Sequence, residues 1–235
     1  MKLKTFVISL CACFLISSCG ELSNKAKGGM IGGAGGAALG ALVGKLIGGN
    51  AKGAVIGAAV GTAVGGGAGV LIGNKMDKAK KAAEELAKAE LLKDQDGLSY
   101  VKVTFDGGIL FGTGNSNLTA QAQQTLQKFT SNVLTSDMDL AVVGFSDNAG
   151  WKGCTAEQSA QKNVVLSEQR AQSVSNFMQK QGATATQIKY VGGKGEENPV
   201  ADNATAEGKA QNRRVEVYIL PSQEMIEAAN NGTLK

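Results

Sequence analysis

An aspartate just after an apolar run, an arginine on the segment that follows it, and amide and hydroxyl side chains between them are the groups here that could do chemistry. Val142-Val143-Gly144-Phe145 leads into Ser146-Asp147-Asn148-Ala149-Gly150, and Arg170 lies in NVVLSEQRAQSV, which Asn163 opens. A third stretch, VGGKGEENPVADNATAEGKAQNRRVEVYI, brings Asn212, Arg213 and Arg214 to the edge of another apolar run. Just outside buried segments, such groups are presented without being left unpaired. A carboxylate and a guanidinium make charge-assisted bonds, either to each other as a clamp between loop and helix or to a ligand carrying both charges. Bond-breaking chemistry is poorly served. With no His in 235 residues, Ser-His-Asp and Cys-His mechanisms and His-ligated zinc lack their base or ligand. Glu196 and Glu197 stand in a turn with no evident partner. The chain is therefore expected not to be an enzyme, and neither metal nor cofactor is implied. The net charge is +4, with 24 Lys and Arg interleaved among 20 Asp and Glu. No basic face is dense enough to suggest nucleic acid.

The order GxSDxxG, NxxLSxxRAxxV, GxGExxPxAxN, GxAxNRRVE resembles the OmpA-like C-terminal domain, a peptidoglycan-binding module of Gram-negative envelope proteins, over roughly Val101 to Leu220. The resemblance implies that Asp147 and Arg170 hold the ammonium and carboxylate at the end of a diaminopimelate side chain. Asn163 and Ser146 would add amide and hydroxyl bonds, while Asp106 to Gly108 and Asn212-Arg213-Arg214 would close the pocket. Phe145 stands where the family usually has His or Tyr, and Lys209 where it often has Arg. The larger departure is an insertion between Asp147 and Asn163 that carries Trp151, Lys152, Gly153 and Cys154. A loop beside a pocket can extend recognition, cap the site or only decorate it.

These groups need a scaffold. Tyr100 to Phe105 alternates as a half-buried strand and Asp106-Gly107-Gly108 turns it. Residues 118–135 and 159–181 read as helices; 139–144, 187–191 and 214–220 read as strands. Leu166-Ser167-Glu168 reads as an interruption near the start of the second helix. Alternation of strands and helices, with the resemblance, predicts an α+β (αβ sandwich) domain over residues 98–222, in a βαβαβ-type order with helices on one face of a single sheet. The core is expected from Val101, Val103, Phe105, Leu140, Val142, Val143, Ile188, Val191, Val215, Val217 and Ile219, with Val174, Phe177 and Met178 packing on it. Residues 223–235 are left as a tail.

Upstream, residues 74–97 are rich in Ala, Leu, Lys and Glu with a thin apolar face, which predicts a charged, solvated spacer helix. Residues 28–73 carry glycine at every fourth position, with a phase slip at Gly48-Gly49-Asn50, and Ala, Val, Leu and Ile between. That spacing gives a smooth stripe along a helix where backbones approach closely, so a helical hairpin is expected. It resembles the glycine-zipper segments that precede some OmpA-like domains, as in YiaD-type lipoproteins. Residues 1–18 read as a signal peptide, with Lys2 and Lys4 before a short apolar run. Leu15-Ile16-Ser17-Ser18-Cys19 resembles a lipobox, which implies acylation of Cys19 and a lipidated tether over residues 19–27. Gly20, where an inner-membrane retention signal would place Asp, favours the outer membrane. Cys154 is the one other cysteine left after processing and has no internal partner. Together these imply a lipoprotein anchored in the outer membrane, its C-terminal domain in the periplasm, with peptidoglycan and membrane lipid as partners and self-association through the zipper as a further option. The alternative is a membrane-active or oligomeric glycine-zipper protein, stress-related, that the C-terminal domain only localises.

Overall fold

The structure is a computed structural model that describes residues 66–94, 97–112 and 114–235. The signal peptide, Cys19 and the glycine hairpin up to residue 65 lie outside the described residues.

The chain runs α1 (Gly66–Glu84), β1 (Lys88–Lys93), β2 (Ser99–Asp106), α2 (Gly107–Leu110), α3 (Ala120–Val133), β3 (Met138–Phe145), α4 (Ala156–Lys180), β4 (Ile188–Gly193), α5 (Ala206–Asn212), β5 (Arg214–Pro221) and α6 (Gln223–Asn230). The five strands make one sheet in the order β1-β2-β5-β3-β4. β1 with β2, β2 with β5 and β5 with β3 are antiparallel, whereas β3 and β4 are parallel and joined by α4. The alternating strands send Val101, Val103, Phe105, Leu140, Val142, Val215, Val217 and Ile219 to one face, where Ala122, Leu126 and Phe129 of α3 and Ala171, Val174 and Met178 of α4 meet them. This is the expected α+β arrangement. Val143 departs from it, joining Tyr100, Ala141, Phe145, Tyr218 and Leu220 on the opposite face. Period two requires this, because Val142 and Val143 are adjacent on a strand and must point apart.

Residues 74–97 do not form a solvated spacer helix. α1 begins upstream at Gly66, and its buried side chains are Ala68, Ile72, Met76, Ala79 and Ala83. These follow the i, i+4, i+8, i+11, i+15 spacing of one helical face. A boundary at Gly73 cuts that stripe in two, with Ala68 and Ile72 on one side and Met76, Ala79 and Ala83 on the other. Ile72 and Met76 are fully buried against the sheet, and each such side chain contributes roughly 1.5–3 kcal/mol. After Glu84 the helix stops, and Lys88–Lys93 becomes the edge strand, with Ala89 opposite Val103 and Leu91 opposite Val101. Pairing with β2 overrides the helical propensity of Ala, Glu, Leu and Lys. Lys88 and Lys102 both reach Glu90, at 2.8 and 2.7 Å.

Residues 223–235 are likewise more than a tail. Ser222 caps α6 by accepting from the Met225 N–H at 3.1 Å, and Met225, Ile226 and Ala229 enter the core. Nor is α4 broken at Leu166-Ser167-Glu168. It runs unbroken for 25 residues behind a capping box at Thr155 and Gln158. Among the described residues no helix is long and apolar enough to cross a membrane.

One buried charge gives a stability test. Asp139 on β3 lies 3.5 Å from Lys189. Burial pushes its carboxyl up to about 6, against the pull of Lys189 and with some repulsion from Glu224. Since the folded value lies above the unfolded one, the group's contribution is complete below about pH 4 and is lost as pH rises through 6. About two pH units correspond to roughly 3 kcal/mol. Urea unfolding of wild type and Asp139→Asn at pH 4 and pH 8 should therefore show the stability gap between the two proteins changing by about that amount, in favour of the variant at pH 8. A gap that is the same at both values would refute it.

Candidate functional site

The site forms where the loop after β3 meets α4 and the start of β5. The approach of α4 to the sheet is set by two glycines. A Cβ added at Gly144 would stand 2.0 Å from the Ser167 carbonyl oxygen, and one at Gly193 would stand 2.2 Å from the Glu168 nitrogen. Only glycine lets the helix backbone rest on β3 and β4 there. The Ser167 hydroxyl accepts from the Gly195 N–H at 2.9 Å and donates to the Val164 carbonyl at 2.8 Å. Ser167 thus serves backbone, tying α4 to the turn after β4.

Asp147 is buried just beyond β3. One of its oxygens accepts from the Ala149 N–H at 3.1 Å, and the other is 2.5 Å from Nη1 of Arg213. Ser146 holds the loop's first step, its N–H donating to the Gly195 carbonyl at 2.7 Å and its hydroxyl to the Asp147 carbonyl at 2.9 Å. Asn163 holds the rest. Its amide nitrogen donates to the Asp147 and Ala149 carbonyls at 3.3 and 3.1 Å, and its amide oxygen accepts from the Trp151 indole N–H at 2.8 Å. The Trp151 backbone N–H donates to the Ser159 hydroxyl at 3.0 Å. Both ends of the Asn163 amide and the Ser146 hydroxyl are thus engaged within the protein.

Arg170 is buried on the same face of α4, about two turns beyond Asn163. Its Nε donates to the Asn115 carbonyl at 3.1 Å, and its guanidinium lies 5.2 Å from the centre of the Phe111 ring. Desolvation and the neighbouring Arg213 work against its charge and Asp147 works for it, with a net lowering of its pKa. Among the described residues nothing accepts from its two terminal nitrogens, and neither is sealed from solvent without a partner. Asp106, Asp147, Arg170 and Arg213 do not form one hydrogen-bonded cluster. The exposed Asp106 carboxylate caps α2, accepting from the Gly108 N–H at 2.6 Å. It borders the site through Gly107, whose N–H donates to the Arg213 carbonyl at 2.8 Å.

Arg214, next to Arg213, turns to the opposite face of the sheet. It is 2.7 Å from Glu216, donates to the Asn198 carbonyl at 3.1 Å and stacks on Phe145 at 3.8 Å. The Phe at position 145 is thus a platform for a structural arginine. Asn212 is fully buried and pins the preceding loop, accepting from the Val200 and Ala201 N–H groups and donating to the Ala201 carbonyl and the Asn203 side chain. Sequence reasoning did not single out Asn115 and Phe111, which orient Arg170. One contributes a backbone carbonyl and the other a ring face, and neither leaves a side-chain signature.

The result is one carboxylate paired with Arg213 and within electrostatic reach of Arg170, both guanidiniums having donors that no described residue claims. It can bind a group that carries both signs of charge. It offers no nucleophile and base, and no cluster of metal-ligating side chains occurs among the described residues. A five-stranded sheet with its helices on one face, carrying this charge set beyond β3, defines an α+β domain. Residues 110–213 match the OmpA family and residues 1–77 the YMGG-like Gly-zipper family. It is 33% identical to Outer membrane protein A of Bordetella avium over 58% of this chain and 66% of that protein. It is 36% identical to Outer-membrane lipoprotein YfiB of Pseudomonas aeruginosa, over 47% of this chain and 61% of the relative. It is 32% identical to Peptidoglycan-binding protein ArfA of Mycobacterium tuberculosis, over 52% of this chain and 35% of the relative. The chain thus spans less than two thirds of each relative. In fold it is similar to a putative MotB like protein from Desulfovibrio vulgaris, with a TM-score of 0.50 and 19% identity over 63% of this chain and 92% of that one.

Proposed function

We propose that this chain is an outer-membrane lipoprotein that binds peptidoglycan non-covalently and tethers the outer membrane to the cell wall. The observation that carries the reading is Arg170, buried and aimed by Asn115 and Phe111, with two terminal nitrogens unclaimed by any described residue beside the Asp147 carboxylate. The end of a diaminopimelate side chain bears an ammonium and a carboxylate on one carbon. Arg170 takes the carboxylate in a bidentate, charge-assisted pair and Asp147 takes the ammonium. Ser146 and Asn163 act here as positioning residues, because their polar atoms hold the Asp147 loop. Asp106 and Arg213 border the pocket. The names of the relatives, an outer-membrane lipoprotein and a peptidoglycan-binding protein among them, support both the location and the ligand. Acylation of Cys19, a periplasmic C-terminal domain and self-association through the zipper complete the proposal. The zipper match over residues 1–77 favours a second reading, in which membrane activity or oligomerisation of that segment is the main function and the OmpA family domain localises it.

The test is sedimentation of the full chain, in detergent, with purified peptidoglycan of two kinds. Retention on diaminopimelate-containing wall and loss on wall with lysine at that position is the expected result, since lysine lacks the second carboxylate. Equal retention on both, or on neither, would remove diaminopimelate recognition.

A further inference from the structure

The inserted loop after Asp147 builds a second surface that the charge site does not use. Trp151 closes one side of a cleft of about 230 Å³, whose floor is the outer face of α4, with Gln161, Lys162, Val165, Leu166 and Gln169. The loop is fixed in place. The Trp151 indole N–H is taken by Asn163 and its backbone N–H by Ser159, while the Cys154 N–H returns to the Trp151 carbonyl at 3.0 Å. With its one donor occupied, the indole presents ring to the cleft. Lys162 stands 5.5 Å from the ring centre, and Val165 is an exposed apolar side chain.

The cleft borders residues next to those of the charge site. Gly114, which also lines it, precedes Asn115, whose carbonyl orients Arg170. Gln169 adjoins Arg170 on α4, and Lys162 lies eight positions before it, about 12 Å along the helix. Resting on the peptidoglycan reading above, we infer that the Trp151 end of this cleft is a subsite for the N-acetylated amino sugar that carries the bound stem peptide. Two residues of stem peptide separate the diamino acid from that sugar. At roughly 3.5 Å per extended residue they cover the Gln169 to Leu166 stretch and deliver the sugar to Trp151 and Lys162. The lining matches a sugar. The indole and the Val165 and Leu166 side chains face the C–H surface of the ring, and the Gln161 and Gln169 amides offer donors and acceptors to hydroxyl and acetamido groups. The cleft is smaller than the roughly 300 Å³ at which drug-sized pockets begin, the scale of a single ring.

The experiment is calorimetric titration of the full chain in detergent with two ligands: a disaccharide-linked stem peptide containing diaminopimelate, and the same peptide without sugar. Wild type should bind the sugar-linked ligand roughly five- to tenfold more tightly. Trp151→Ala should lose that preference, binding the two ligands with equal affinity. Trp151→Phe, which retains a ring and gives up the bond to Asn163, should retain most of the preference. Equal wild-type affinity for the two ligands would overturn the sugar subsite while leaving the charge site standing. Equal weakening of both ligands by Trp151→Ala would overturn it too, showing that the loop serves peptide or Asp147. Failure of wild type to bind either ligand would overturn this subsite and the peptidoglycan reading together.

Discussion

A fragment that begins at Leu98 should fail to fold stably, whereas one that begins at Gly66 should unfold cooperatively like the intact domain. Cutting at Leu98 removes α1 and β1 together. It takes away Ile72, Met76, Ala79 and Ala83, all buried in the core, the ion pair between Lys75 and Asp137, and the strand that covers β2 along its six paired residues. Truncating one buried Ile or Met to Ala costs about 2–5 kcal/mol, and an ordinary domain holds only about 5–15 kcal/mol in all. Losing two such side chains, two buried alanines and an edge strand exceeds that reserve. The backbone of β2 would then become an exposed edge beside a face stripped of α1, a template for aggregation. Urea unfolding followed by circular dichroism checks it. A Leu98 fragment with the same midpoint as the Gly66 fragment would mean that α1 and β1 are appendages. Within the full chain, Met76→Ala should lower stability by about 2–5 kcal/mol, measured the same way.

What was legible in the sequence follows from what kind of signal each element leaves. β2 alternates and β3 and β5 carry short apolar, β-branched runs, so all three are read directly, and the helix carrying Arg170 was found within three residues of each end. β1 was not legible because Ala89, Glu90, Leu91 and Leu92 are ordinary helix formers, and only pairing with β2 makes them a strand. α1 was obscured because its core stripe crosses from the glycine-rich segment into the charged one, so a boundary based on composition fell between Ile72 and Met76. α6 is eight residues long, too short for periodicity to speak. At the candidate site, the motifs single out Asp147 and Arg170, and the structure buries both. Their partners were not legible. The ion pair of Asp147 with Arg213 and the orientation of Arg170 by Asn115 span 66 and 55 residues, and no local pattern encodes contacts at that range. Nor could Asn163 be separated from a ligand contact in advance, because its role depends on Trp151, which sits in the insertion.

Asp147→Ala should abolish binding to diaminopimelate-containing peptidoglycan, while Arg213→Ala should weaken it less than about fivefold; the contrast separates ligand binding from a structural clamp. Asp147 is buried, pairs with Arg213 and favours the charge of Arg170 electrostatically. Removing it takes away the acceptor for the ligand's ammonium and leaves Arg170 and Arg213 facing each other without a counter-charge. Removing one partner from a buried, hydrogen-bonded charge set costs about 2–5 kcal/mol of binding, a factor of roughly 30 to several thousand. The Arg213 side chain is 36% exposed, and an ion pair with one end in water contributes about 0–1 kcal/mol. Its removal also frees one Asp147 oxygen for the ligand. Arg213→Ala should therefore keep most of the affinity, with Arg170 still in place to take the carboxylate. Titration of both variants with a diaminopimelate-containing stem peptide, after circular dichroism has shown each to be folded, gives the answer. If Arg213→Ala proves as damaging as Asp147→Ala, the two residues act as a unit that fixes the loop, and the ammonium must be held elsewhere. If Asp147→Asn, which keeps an oxygen for the Ala149 N–H but carries no charge, fails like Asp147→Ala while Arg213→Ala binds, the carboxylate's charge itself recognises the ligand.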